Sequence, residues 1–81
     1  MIQKYKTEVL QYATNNNLYS NCNGISFVNT GTVDVLVNKY TITPGTSLTI
    51  NGNAGEMDVT QYIMYFPNGN GNLTVIRKFY V

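Results

Sequence analysis

The sequence predicts an all-β protein, a small antiparallel β-sandwich or barrel built from hairpins. Three observations carry this expectation. From Gly24 onward, short stretches alternate apolar and polar residues, the period of a strand with one buried face. Clusters of Gly, Pro and Asn separate them, and these residues suit turns. The turns follow one another along the chain, which favours antiparallel neighbours.

Taken in order, "ISFVN" (Ile25–Asn29) places Ile25 and Phe27 on one face. "NTG" (Asn29–Gly31) has turn chemistry, since Asn and Gly tolerate positive φ. "TVDVLV" (Thr32–Val37) puts Val33, Val35 and Val37 on one face, with Asp34 and Leu36 on the other. "NK" (Asn38–Lys39) predicts a two-residue hairpin turn with Asn38 left-handed, so that "YTI" (Tyr40–Ile42) pairs back. "TPGT" (Thr43–Thr46) is a type II turn signal, with Pro44 presetting φ and Gly45 taking positive φ. "SLTIN" (Ser47–Asn51) places Leu48 and Ile50 together. "QYIMYF" (Gln61–Phe66) is apolar at almost every position, which predicts a strand covered on both faces. "PNGNGN" (Pro67–Asn72) is a loop. "LTVIRKFYV" (Leu73–Val81) is the last strand; both its faces mix apolar and polar residues, which predicts contact with a neighbour.

Residues 1–23 stand apart. Ile2, Tyr5, Val9, Tyr12 and Ala13 follow helical spacing, whereas Tyr5, Thr7 and Val9 alternate. Strand is favoured, because Tyr and Thr prefer strands and no helix cap is present. "TNNN" (Thr14–Asn17) ends the element, and "LYSNC" (Leu18–Cys22) is a short strand leading into Ile25. The chain reads as a single β domain over 1–81, with 1–23 a docking or edge-strand segment.

Composition narrows the function classes. The chain has 81 residues, a size that buries only about 60–65% of its unfolded surface. Cys22 is the only cysteine and there is no histidine, so an internal disulfide and a zinc site lack their ligands. Oligomerisation or docking is the remaining source of stability. Charged residues make up 11% and the net charge is +1, too weak to capture nucleic acid or anionic lipid. No apolar run approaches the ~18 residues of a membrane span, and the first 17 residues have no signal-peptide core. Seven tyrosines exceed what a small core can hide, and tyrosine is enriched at interfaces.

Candidate chemistry is sparse. The acids are Glu8, Asp34, Glu56 and Asp58. Acid–base catalysis needs convergent titratable groups, and Cys22 has no imidazole to activate it. No catalytic residue, cofactor site or metal site is assigned, and a small-molecule ligand is not expected. "NGNAGEMD" (Asn51–Asp58) offers Asn51, Asn53, Glu56 and Asp58 as oxygen ligands for calcium, but the spacing does not match an EF-hand. The alternative is a shaped connection: Asn51-Gly52 turns the chain, Asn53 and Gly55 take special backbone angles, and the acids bond backbone. "IRKFYV" (Ile76–Val81) holds basic and aromatic residues together, as nucleic-acid surfaces do. The simpler reading is a strand whose charges discourage edge-to-edge pairing. "PNGNGN" lacks the lysine and following helix of a phosphate loop.

One pattern is shared with a known group. It runs through Asn29-Thr30-Gly31, Val35 to Asn38, Pro44-Gly45, "GNAGEMDVTQY" (Gly52–Tyr62) and "VIRKFY" (Val75–Tyr80). In this it resembles small virion-associated proteins of phages that infect Bacteroidetes, over about two-thirds of the chain. It departs at Lys39, where that group tends to have Gly. The resemblance implies a structural role in the particle as a capsid decoration, vertex or fibre-base component. It implies other virion proteins and copies of itself as partners, synthesis in the bacterial host cytoplasm, and no catalytic residues. An alternative of another class is a carbohydrate-binding module attaching to host surface glycans through its Asn-rich loops and tyrosines.

Overall fold

The computed structural model describes residues 2–81. Among them are eight strands and no helix: β1 (Tyr5–Tyr12), β2 (Asn16–Tyr19), β3 (Gly24–Asn29), β4 (Val35–Val37), β5 (Tyr40–Ile42), β6 (Ser47–Ile50), β7 (Gln61–Tyr65) and β8 (Leu73–Tyr80). They form two antiparallel sheets of four, ordered β1-β8-β3-β6 and β2-β7-β4-β5. The sheets pack as a sandwich and do not close into a barrel.

The wiring is nested. β1 pairs with β8, β2 with β7, β3 with β6 and β4 with β5. One long ribbon, from β1–β4 out and β5–β8 back, is thus wrapped so that successive strand pairs fall in alternate sheets. The β3·β8 and β4·β7 ladders then join the pairs within each sheet. This is the topology of an eight-stranded jelly roll.

Alternation sets the core. Ile25 and Phe27 of β3, Leu73 and Val75 of β8, Val35 and Val37 of β4, Ile42 of β5, and Tyr62 and Met64 of β7 turn inward, joined by Phe66 and Cys22. Phe27 meets Tyr62 across the sheets with ring centroids 4.9 Å apart. Such a contact adds about 0.5–1.5 kcal/mol to the area it buries. Leu10, Tyr12, Leu18, Leu48 and Phe79 close the margins.

Several sequence expectations are corrected. β7 is not covered on both faces: Tyr62, Met64 and Phe66 are buried, but Gln61, Ile63 and Tyr65 face outward with no layer above them. The strand expected over Thr32–Val37 shrinks to Val35–Val37, because the Val33 carbonyl accepts the Asn29 amide at 2.8 Å. Asn29 ends β3, as the Ile25–Asn29 stretch expects, but no residue of Asn29–Gly31 takes positive φ, and Asn29 is buried. β2 starts at Asn16, inside the expected break, and stops at Tyr19. β6 ends at Ile50, and Ile50 is more exposed than its face partner Leu48. β8 is a central strand, flanked by β1 and β3, and its inner face is mixed because it runs past the apolar core, from buried Leu73 and Val75 to Arg77.

Other expectations hold. Residues 5–12 are strand, not helix. Asn38 and Lys39 both have positive φ, 48° and 71°, and Val37 faces Tyr40 across the turn. Gly45 has φ 80°, and the Thr46 N–H donates to the Thr43 carbonyl at 3.1 Å, closing the Pro44-Gly45 turn.

Asn29→Ala leaves the carbonyls of Val33 and Ile42 without their donor and the Gly31 N–H without its acceptor. Each such group costs about 1–3 kcal/mol when buried. The expected loss is about 3 kcal/mol, read as a melting temperature lowered by more than ~10 °C. Lys39→Gly relieves a left-handed side chain, less the backbone entropy of glycine. The expected gain is about 0.5–1 kcal/mol, a rise of ~3–6 °C in the same melt.

Candidate functional site

The four acids do not form one site. In the Asn51–Asp58 connection, the Glu56 N–H donates to the Asn53 carbonyl at 3.0 Å, and the Glu56 carboxylate accepts the Asn53 N–H at 3.0 Å. This reciprocal pair closes a turn over Asn53–Glu56. Neither Asn53 nor Gly55 takes positive φ, contrary to expectation. Gly52 is needed for close approach, not for a left-handed turn: a Cβ there would collide with the Asn23 carbonyl oxygen. The Asn23 side chain donates to the Glu56 carbonyl at 2.5 Å and accepts the Tyr80 N–H at 2.8 Å, tying the connection to β8.

Asp58 faces the other way. Its carboxylate accepts the Thr60 N–H at 2.8 Å and the Tyr62 hydroxyl at 2.6 Å. Its backbone bridges to Cys22 through N–H to carbonyl bonds of 3.3 and 2.7 Å. The buried Ser20 hydroxyl donates to the Asp58 carbonyl at 2.6 Å. Burial pushes the Asp58 carboxyl up, but the bonds from Tyr62, Thr60 and Ser20 outweigh it and hold it below its ordinary range. Burial first, then the Asp58 bond and charge, push the Tyr62 phenol from its ordinary 10 to about 12. Cys22 is fully buried, its thiol facing the Gly24 carbonyl at 3.2 Å and pushed up by burial. Glu56 and Asp58 are therefore spent on shaping the chain, as the connection reading expects. Buried with its pKa raised, Cys22 is an inert thiol.

Arg77 and Lys78 do not guard an edge, since β8 is central. Arg77 turns inward, where β8 leaves the apolar core. Its Nε donates to Glu8 at 2.7 Å, its Nη2 pairs with the same carboxylate, and its Nη1 donates to the Ser20 carbonyl at 3.0 Å. One guanidinium thus links β1 and β8 to the end of β2. Lys78 lies on the outer face, its ammonium 4.5 Å from the Tyr5 ring and 4.7 Å from the Tyr80 ring. The basic residues of β8 are thereby occupied with internal contacts.

What the fold leaves free is the outer face of the β2-β7-β4-β5 sheet. Register places Leu36 opposite Tyr65, Asn17 opposite Ile63 and Tyr19 opposite Gln61 on that face. Tyr19, Ile63 and Tyr65 are 58%, 53% and 49% exposed, so about half of three large side chains meets water on one short sheet. Beside them, Asn38, Lys39, Gln61 and Ile63 line a shallow depression of about 390 Å³. The Asn38 side chain is already engaged, donating to the Gln61 carbonyl at 3.2 Å and accepting the Ile63 N–H at 2.7 Å. The other sheet's outer face differs. Its hydroxyls bond one another, Ser26 to Thr49 at 3.1 Å and Thr30 to Thr74 at 3.2 Å, with Thr74 also on Gln11 at 3.1 Å.

Sequence reasoning missed Ile63 and Tyr65 because they sit inside an unbroken apolar run. The tyrosine excess was the signal that reached them. Comparison of the chain with protein-family models, characterised proteins and solved structures gave no match.

The Tyr62–Asp58 bond makes stability depend on pH at both ends. A phenol raised on folding contributes fully below pH 10, and that contribution is lost as pH rises from 10 to about 12. A carboxyl lowered on folding contributes above its ordinary range, and that contribution is lost as pH falls through its folded value. Tyr62→Phe is expected to flatten the alkaline loss and move the acid midpoint to higher pH, read by urea denaturation across the pH range. An unchanged alkaline slope would remove Tyr62 from this role.

Proposed function

We propose that the chain is a structural protein of a phage virion, a capsid decoration, vertex or fibre-base component. It acts through repeated protein–protein contacts and not through catalysis. The observation that carries this reading is the outer face of the β2-β7-β4-β5 sheet. Tyr19, Leu36, Ile63 and Tyr65 make an amphipathic, nearly uncharged surface, with Lys39 at its rim. Surfaces of this composition suit desolvated contact with another protein. Three further features support it. The acids are engaged singly in shaping the fold or exposed alone. The net charge of +1 gives little repulsion between copies. The jelly-roll wiring recurs in viral capsid and lectin domains, which is an analogy at the level of fold.

A shell presents the same small contact many times. Each copy then needs little affinity of its own, because neighbours already fixed in the lattice raise the effective concentration of the next contact. That arithmetic suits a face whose apolar area is modest.

The depression beside Ile63 is the feature that favours the second reading, glycan attachment. Gln61 and Lys39 supply polar groups there beside an apolar side chain. Against it, the Asn38 amide is already committed to backbone.

The test is cosedimentation of the purified protein with purified particles of a Bacteroidetes phage, beside a glycan array with and without calcium. Particle labelling is expected. The triple variant Tyr19→Ser, Ile63→Thr, Tyr65→Thr should lose at least about tenfold in labelling, with melting within a few degrees of the parent. Binding to a defined glycan without particle labelling would replace this reading with the second.

A further inference from the structure

We infer that β1 is a self-pairing edge: two copies of the chain join antiparallel through their β1 strands, about a two-fold axis at Thr7. The inference deepens the contact reading by naming one contact and its partner, a second copy, but it stands on different residues.

The four sheet edges are unequal. β2, β5 and β6 are edges of four, three and four residues. β1 is an edge of eight residues, Tyr5–Tyr12, a span of about 27 Å. An edge that long is a template for another strand unless something blunts it. Among the described residues, no segment pairs with its outer side.

The hydrogen-bond phase of β1 is fixed. The Val81 N–H donates to the Lys4 carbonyl at 2.9 Å, and Tyr5 faces Tyr80 in register. Lys4, Lys6, Glu8 and Leu10 therefore aim their backbone groups at β8. Tyr5, Thr7, Val9 and Gln11 aim theirs at the open edge. A second β1 can dock only in registers that place these residues opposite one another.

Charge then selects among those registers. An axis at Lys6 would set Lys6 against the partner's Lys6. An axis at Glu8 would set the two glutamates together. An axis at Tyr5 would set Lys4 against the partner's Lys6, and an axis at Val9 would bring no opposite charges together, setting Glu8 against the partner's Leu10. With the axis at Thr7, Lys6 faces the partner's Glu8 and Glu8 faces the partner's Lys6. Thr7 then meets the partner's Thr7, and Tyr5 meets the partner's Val9. Opposite charges, threonine pairs and aromatic–β-branched pairs are the combinations that stabilise neighbouring strands. A lone edge lysine protects against pairing; a lysine followed two residues later by glutamate selects one pairing. Glu8 has capacity for it. Arg77 bonds its Oε1, no described residue bonds its Oε2, and its side chain is 43% exposed. Tyr5 and Val9, 57% and 58% exposed on the outer face, would be covered by each other's copies. The product is an isologous dimer with one continuous sheet across the axis.

The experiment is light scattering behind size exclusion on the full chain, with circular dichroism to confirm folding. The wild type is expected to be a dimer. Lys6→Glu should weaken association by about tenfold or more, because both cross-axis pairs become repulsive. Thr7→Pro should give a folded monomer, since the Thr7 N–H faces the open edge and proline there removes no internal bond. Mixing Lys6→Glu with Glu8→Lys should restore a dimer of one copy of each. A wild type that stays monomeric at high concentration, or a dimer that survives Thr7→Pro, overturns the inference. A monomer that still labels particles overturns the edge pairing and leaves the contact reading standing.

Discussion

The side-chain amide of Asn29 is the constraint on which one end of the sandwich depends. It sits buried at the end of β3 and donates to the carbonyls of Val33 and Ile42, both at 2.8 Å, while accepting the Gly31 N–H at 3.0 Å. Its own carbonyl accepts the Gly45 N–H at 2.9 Å. These partners belong to the stretch that leaves β3, the approach to β4, the end of β5 and the turn into β6. All four must pass between sheets at this end, where no ladder can satisfy their backbone groups. Buried backbone groups without partners are costly, so a side chain has to serve. Only an amide offers two donors and an acceptor in so small a volume. Aspartate would present oxygen to two carbonyls.

The opposite end of β3 poses the same problem and solves it with more residues. There the chain passes from β2 to β3 and from β6 to β7 without a continuous ladder. Ser20, Asn23 and Arg77 fill the gap by bonding backbone across it, and Asp58 bonds the Thr60 N–H within the connection to β7. Between the two polar ends lies an apolar core, eleven buried side chains among the described residues, Cys22 included. A core of that size gives modest stability, so the bonds at its ends weigh heavily. This explains why so few of the charges are free for chemistry. Glu8, Asp58 and Arg77 are bound into the frame, and Lys78 lies over two tyrosine rings.

Strand content, the Asn38-Lys39 hairpin and the Pro44-Gly45 turn were legible because each rests on local chemistry: alternation, left-handed tolerance and a fixed proline φ. The sandwich was legible only as one of two closures, since pairing between distant strands leaves no local mark. The bonding role of the Asn29 side chain left no local mark for the same reason. Its neighbours Thr30 and Gly31 give it the look of a turn residue, while its side-chain partners lie up to 13 positions away. β7 was misread because an unbroken apolar run has two explanations, cover on both faces or an exposed apolar face, and periodicity cannot separate them. The connection at Asn51–Asp58 was read correctly in kind, with carboxylates bonding backbone, but Gly52 answers to the Asn23 carbonyl and not to a left-handed angle.

The two sheets meet solvent in different ways, and this bears on how the molecule would assemble. The outer face of β1-β8-β3-β6 is laced with hydroxyls that satisfy one another, so it gains little from being covered except along the β1 margin. The outer face of β2-β7-β4-β5 exposes the apolar area of large side chains to water. Burying apolar area there is favourable at about 25 cal/mol per Å² before the costs of association. An edge is directional and matches one partner in one register, whereas an apolar face tolerates varied partners. A chain with both can hold a copy of itself by backbone pairing and present its tyrosine face outward in duplicate. Two such faces per dimer, each weak, would engage a repeating surface together and a single soluble target hardly at all.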